Sequence, residues 1–276
     1  MGEAKRRGKA APPHQADLIT GFNDAERQAL ERLRMGAYRH ASTAITRART
    51  HASPEQQRDE IALVHRDAAR VLDTATETFF RTSRDGPGIE KKIACRKGCS
   101  FCCWVNVEVT IIEAIGVAAA VQNDATLRAA VMTTAPKLAG LDPYARIRAR
   151  VPCALLGADG GCSIYNDRPR NCRAYTSYDA KRCEDELTDP NAKREKMLVF
   201  TWPRILASAA TVGLHKACDD AGLQRCTVEL TDGVATILAE PNVIARWLTG
   251  EAVFKPYVPL PPARSTDVAE RREGVE

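Results

Sequence analysis

Long apolar runs are missing from this sequence. Stretches free of charge reach only about ten residues, as in Ile205 to Leu214, far short of the roughly 18 that a membrane-spanning helix needs. Aromatic residues are scarce at 5%, so the core must be built mainly from Ala, Val, Leu and Ile, which favours helices over sheets. An excess of one charge is also absent. With 40 basic and 35 acidic side chains the net charge is +5, and much of it lies at the ends, so no nucleic-acid footprint is demanded. There is no P-loop, no Gly-x-Gly-x-x-Gly and no Ser-x-x-Lys. The basic start, Met1 to Lys9, runs into Ala10-Ala-Pro-Pro-His14 rather than an apolar segment. That is not the pattern of a secretory signal, so the expected location is the cytoplasm, with no membrane partner.

What remains is 276 residues, 44% hydrophobic and 27% charged, an ordinary globular composition for one or two domain-sized units. The unusual feature is ten cysteines, mostly clustered. In a reducing compartment, clustered cysteines read as metal ligands or redox thiols rather than structural disulfides.

Periodicity and turn chemistry divide the chain. Residues 1–22 are polar and Pro-containing, expected as a flexible arm. Residues 23–84 read as a helical hairpin. Its first helix runs from Asp24, a candidate cap, to about Thr50. Its second opens on Ser53-Pro54-Glu55-Gln56, with Ser as N-cap, Pro at the first helical position and Gln at the capping-box position. Asp85-Gly-Pro-Gly88 is expected to break the chain. A cysteine-cluster domain over 88–190 follows, in which Thr110-Ile-Ile-Glu113 is a capping box opening a helix to about Val121 and Asp124 caps another to about Ala139. Residues 191–255 are expected to complete the core. Helices are predicted over Asn191 to Phe200 and Pro203 to Ala221, then a β-hairpin turning at Asp232-Gly233, then a short helix to Leu248. Residues 256–276 read as a disordered tail. The predicted fold class is mainly α with small β hairpins, a cysteine-rich, metal-organised loop core being packed among the helices.

The chemistry lies in two cysteine clusters. The first is Cys95-Arg-Lys-Gly-Cys99-Ser-Phe-Cys102-Cys103. Short spacings let one turn aim several thiolates at a point while backbone N–H groups bond the sulfurs. Cys102 and Cys103, being neighbours, are expected to point apart and to serve two sites, or to divide into one ligand and one packed thiol. The second cluster carries Cys153, Cys162, Cys172 and Cys183. Asp159-Gly160 should turn a hairpin between Cys153 and Cys162, and Pro169 suits the start of a helical turn bearing Cys172. Eight thiolates supply two four-ligand sites or one polynuclear site. If they are ligands, at least one group of four sulfurs, drawn from both clusters, should stand about 3.5 to 4 Å apart, as tetrahedral ligation requires. Arg168 and Arg173 are candidate supports, because nearby cations favour the thiolate, and Tyr165 lies beside them. Cys218 and Cys226 fall on apolar faces and are assigned to the core, with His215 exposed beside Cys218.

The two clusters together resemble the YkgJ family of cysteine-cluster proteins. The matching stretches are Cys95 to Cys103, Pro152-Cys153, and Gly161-Cys162-Ser-Ile-Tyr-Asn-Asp-Arg-Pro-Arg-Asn-Cys172-Arg-Ala-Tyr175, which span roughly residues 90 to 185. The resemblance implies chelation of zinc or iron, an iron–sulfur cluster being one form the iron can take, and it implies no reaction. A similar module in flagellin lysine methylases points weakly to methyl transfer. Cys95-x3-Cys99-x-Phe101-Cys102 also has the spacing of radical S-adenosylmethionine enzymes, but their fold requires repeated strand–helix units downstream of Cys102, where the pattern here is mostly helical. Whether the protein is an enzyme therefore stays open at this level. A third reading is a zinc-stapled interaction module that docks a protein partner through the N-terminal hairpin, which an exposed apolar patch there would favour.

Overall fold

The computed structural model describes residues 23–141, 143–189 and 199–257. Helix α1, Asp24–Ala48, starts one residue earlier in its capping logic than the sequence suggested. Asn23, not Asp24, is the N-cap: its side chain accepts the Glu26 N–H at 2.9 Å, and the Glu26 carboxylate accepts the Asn23 N–H at 2.9 Å. This reciprocal pair satisfies two donors that a helix start leaves orphaned, whereas Asp24 sits in the first turn, where an acid complements the helix dipole. Helix α2, Pro54–Thr82, begins as read, with the Ser53 hydroxyl accepting the Gln56 N–H at 3.2 Å and Pro54 in the first turn.

Asp85-Gly-Pro-Gly88 does not simply break the chain. Its proline instead opens a short helix α3, Gly86–Lys92, because a residue with fixed φ and no N–H suits a helical first turn. After the first cysteine cluster come strand β1, Glu108–Thr110, and helix α4, Ile111–Val121. Both capping-box bonds between Thr110 and Glu113 are present. Nine of the eleven α4 residues are buried, so this helix, apolar nearly all round, runs through the centre. Helices α5, Ala125–Leu138, capped by Asp124, and α6, Pro143–Ala149, follow. The second cysteine cluster carries α7, Arg170–Ala174, and α8, Ala180–Thr188.

Helix α9, Trp202–Asp220, packs most extensively against α1, and α4 against α2. The α1–α9 crossing is alanine-lined, with Ala37, Ala41, Ala44 and Ala48 buried on one helix and Ala207, Ala210 and Ala217 on the other. At Gly213 the two backbones nearly touch: a Cβ there would stand 2.1 Å from the Arg34 carbonyl oxygen. At Gly116 of α4 a Cβ would stand 2.4 Å from the His65 side chain of α2.

The predicted hairpin around Asp232-Gly233 is a correction. Strand β2, Thr227–Glu229, pairs instead with the distant β1, antiparallel, with Val109 opposite Val228. The chain then turns at once into helix α10, Leu230–Ala239, because the Glu229 carboxylate accepts the Thr231 and Asp232 N–H groups at 2.7 and 3.1 Å and caps it. Gly233 marks close packing rather than a turn, since a Cβ there would lie 2.5 Å from Val228. Helix α11, Val243–Leu248, completes the described elements. The predicted arm, residues 191–198 of the predicted Asn191 helix and nearly all of the predicted tail lie outside the described residues. At the end of that predicted helix, Val199 is bridged to Ser177 rather than helical. The chain is mainly helical with a small antiparallel ribbon, and no helix among the described residues is long and apolar enough to cross a membrane.

Candidate metal centre

The first cluster turns tightly. Gly98 takes φ +94, a conformation open to glycine, and the Cys99 N–H bonds the Arg96 carbonyl at 2.9 Å. Phe101–Trp104 continues as a 3-10 turn, so Cys102 and Cys103 are consecutive residues on one short helical turn. Their thiols remain near enough to act on each other: the interaction pulls Cys102 down to about 7 and pushes Cys103 upward, so the pair holds one proton tightly.

Two sets of backbone bonds bring the distant cysteines to this turn. Buried Ser177 donates its N–H to the Cys95 sulfur at 3.1 Å and accepts the Ala94 N–H at 2.9 Å. The Ser177 side chain also bonds the Cys183 thiol. On the other side, the Cys153 N–H bonds the Cys103 carbonyl at 2.7 Å. Gly160, at φ +75, turns a small hairpin whose arms meet in the Leu156–Cys162 bridge and in the Ser163 to Leu155 bond of 2.9 Å. Cys172 rides on α7, which starts just after Pro169.

The proton affinities record the gathering. Burial raises Cys95, and the neighbouring Cys99, Cys102 and Cys183 raise it further. Burial also raises Cys172, with Cys153, Cys102 and Cys162 adding to it, and burial pushes Cys153 up to about 11. Like charges close together disfavour one another, so these mutual effects place all eight thiols in one electrostatic neighbourhood. Backbone N–H groups act the other way. Leu155 bonds the Cys153 sulfur and Ile164 the Cys162 sulfur, and each favours the thiolate.

The cations have distinct tasks. Arg168 stacks its guanidinium 3.6 Å from the centre of the Tyr165 ring and donates Nε to the Tyr165 carbonyl at 2.9 Å. From there its charge favours the thiolate at Cys102, Cys162 and Cys172. Arg173 ties the loop before Cys172 together: Nε bonds the Arg168 carbonyl at 2.8 Å, Nη2 the Asn166 carbonyl, and Nη1 pairs with Asp73 of α2 at 2.5 Å.

Sequence reasoning missed the support beneath α7. Glu113 accepts the Arg170 N–H at 2.9 Å and pairs with the Arg170 guanidinium at 2.9 Å, both side chains being buried. Burial alone would raise the Glu113 carboxyl. The Arg170 charge and the N–H bonds from Thr110 and Arg170 outweigh that, so it is held below the usual carboxylate range. His65, fully buried, bonds the Asp167 carbonyl at 2.9 Å through Nε2. The signal for this network was a glutamate read only as a cap and an arginine, Arg170, that flanks Cys172 in the sequence. Arg146 was missed too; it is buried, pairs with Glu229 at 2.6 Å, and its charge lies close to Cys153. His215 is half-buried rather than exposed, and burial, reinforced by Arg225 and Arg170, lowers it to about 4.

One geometric expectation is corrected. Among the described residues, no three Cys, His, Asp or Glu side chains are arranged around a point as an ion requires. Each sulfur is positioned by its own local backbone contacts instead, as Cys95 is by the Ser177 N–H. The donor chemistry still fits a thiophilic ion: soft sulfur donors, N–H groups aimed at sulfur and a nearby guanidinium are the setting in which zinc or iron is held.

A mainly helical protein in which a cysteine-rich loop region is gathered beneath arginines is the class that fold and site define. Within it, residues 94–197 match the family model CxxCxxCC, "Putative zinc- or iron-chelating domain". Over that stretch, a little more than a third of its length, the chain is similar to the YkgJ-type cysteine-cluster proteins. No curated protein and no solved structure matches the chain.

Proposed function

We propose that this protein binds zinc or iron through the thiolates of Cys95, Cys99, Cys102, Cys103, Cys153, Cys162, Cys172 and Cys183. The observation that carries the reading is the meeting of two separate cysteine clusters in one region, where the thiols alter each other's proton affinity. When bound, a zinc or iron ion would supply a strong cross-link between loops and the charge that stabilises thiolates. The chain's own groups prepare for it. Ser177, Leu155 and Ile164 donate hydrogen bonds to sulfur, Arg168 offsets negative charge, and Arg173 with Glu113 fixes the segment that presents Cys172.

Beyond Cys102 the described residues hold helices, loops and one antiparallel strand pair, β1 with β2, which argues against the parallel strand–helix barrel of the radical enzymes. The partner-docking reading has little apolar surface to draw on. The hairpin spends its faces on α9 and α4, and Leu63 and Val71, two turns apart on α2, are its exposed large hydrophobics among the described residues.

The test is anaerobic purification of the full chain with elemental analysis and an optical spectrum. Bound zinc or iron is expected, and Cys99→Ser or Cys162→Ser should lower its content and loosen residues 90 to 185. An unchanged metal load and melting temperature in both variants would refute the ligand assignment.

A further inference from the structure

We propose that helix α2, which lies outside the matched stretch 94–197, is a working part of the chelating region, with His65 and Asp73 as positioning residues that hold the loop between Cys162 and Cys172. This rests on the chelation reading above and adds to it two residues that govern metal retention without being ligands.

The loop between those cysteines has little regular structure of its own beyond a 3-10 turn at Tyr165–Asp167 and the start of α7. Side chains bond its carbonyls instead. Four in a row each accept one: Tyr165 from Arg168 Nε at 2.9 Å, Asn166 from Arg173 Nη2, Asp167 from His65 Nε2 at 2.9 Å, and Arg168 from Arg173 Nε at 2.8 Å. Three of these donors belong to the loop and α7. The fourth, His65, reaches in from α2. Arg173 is itself anchored on α2, because its Nη1 pairs with Asp73 at 2.5 Å. Helix α2 thus grips the loop at two points, roughly 12 Å apart along its axis.

The environment of His65 suits it to this grip. Its side chain is fully buried. A carbonyl only accepts, so Nε2 carries the proton. Nδ1 has no hydrogen-bond partner among the described residues, which leaves the Asp167 bond as the polar tie of the ring. The ring also packs directly on α4, where a Cβ at Gly116 would stand 2.4 Å from it. A loop held in this way loses less conformational freedom when an ion draws its two thiolates together. Removing a group that orients ligands from behind typically weakens metal binding by about 10- to 100-fold.

The experiment loads the reduced full chain with Zn2+ anaerobically and titrates it with a coloured chelator. His65→Asn and Asp73→Ala are each expected to weaken Zn2+ retention about tenfold. His65→Gln should restore it, because a glutamine can place its amide nitrogen near the Nε2 position and the shorter asparagine cannot. Ile45→Val trims the core of α1, which packs on α9 and α2, and should leave retention unchanged, so that lost stability alone is told apart from lost positioning. A second readout uses the unsubstituted chain and decides the matter even if a variant fails to fold. By reciprocity, adding Zn2+ should slow solvent exchange of the His65 imidazole N–H in nitrogen-15 NMR spectra. Unchanged retention in the Asn and Ala variants, equal weakening in the Gln and Asn variants, or imidazole exchange indifferent to Zn2+ would overturn the proposal while leaving chelation in place. A chain that takes up no Zn2+, and no Fe2+ in a parallel loading, would instead strike at the proposed function itself.

Discussion

Burial separates two kinds of cysteine in this chain. Cys218 is buried on α9, and Cys226 packs against the core just before β2. Burial, helped by the charges of Asp219 and Cys226, pushes Cys218 up to about 12, so its thiol stays neutral and behaves as a small hydrophobe. Cys218→Ala and Cys226→Ala are therefore expected to keep the full metal load, each costing about 1 kcal/mol as a modest core truncation does. Elemental analysis with urea denaturation checks both halves. Metal lost from either variant would extend the site past Cys183.

At the scale of elements, one carboxylate joins two helix starts. Glu113 closes the capping box of α4 and also accepts the first N–H of α7, while its charge pairs with Arg170. Glu113→Gln would leave the Arg170 guanidinium buried and unpaired. The expected cost is about 3 to 5 kcal/mol, since breaking one partner of a buried pair leaves its desolvation uncompensated. Thermal unfolding should show a drop of roughly 6 to 20 °C for a chain of this size. A shift of a degree or less would mean that the pair contributes nothing net. The same element scale explains the misread hairpin. Val228 and Leu230 alternate as a strand does, but local alternation cannot reveal that the partner strand lies at Glu108–Thr110 or that Glu229 caps a helix at the next residue.

Over the whole molecule, folding presses thiols together in apolar surroundings and raises their proton affinity. Cys153 moves to about 11 and Cys218 to about 12 from an ordinary 9.0. Above pH 9 the unfolded chain releases protons that the folded chain still holds. This contribution to stability is thus complete below pH 9 and is lost as pH climbs toward 11 to 12, at up to about 1.4 kcal/mol per group and pH unit. Metal-stripped, reduced protein should show a falling urea midpoint between pH 9 and 11, and a rising midpoint would contradict the burial of these thiols. With metal bound the dependence reverses in origin, because protons compete for the same sulfurs and weaken binding as pH falls.

Cap residues and cysteine spacing were written in the sequence alone. Ser53-Pro54, Thr110 with Glu113, and Asp124 each start a helix where read, because capping uses atoms within three residues of one another. The two cysteine clusters likewise declared themselves by spacing, as did the mainly helical class by its alanine-rich, aromatic-poor core. Tertiary structure alone decided the β1–β2 pairing, the Glu113–Arg170 pair, the role of Ser177 and the burial of His65. Each joins residues from some 50 to 120 positions apart, and no local pattern encodes a partner that only chain folding brings within reach. It also decided the behaviour of Cys102 and Cys103. Adjacency suggested that they serve separately, yet on the 3-10 turn at Phe101–Trp104 each thiol shifts the other's proton affinity.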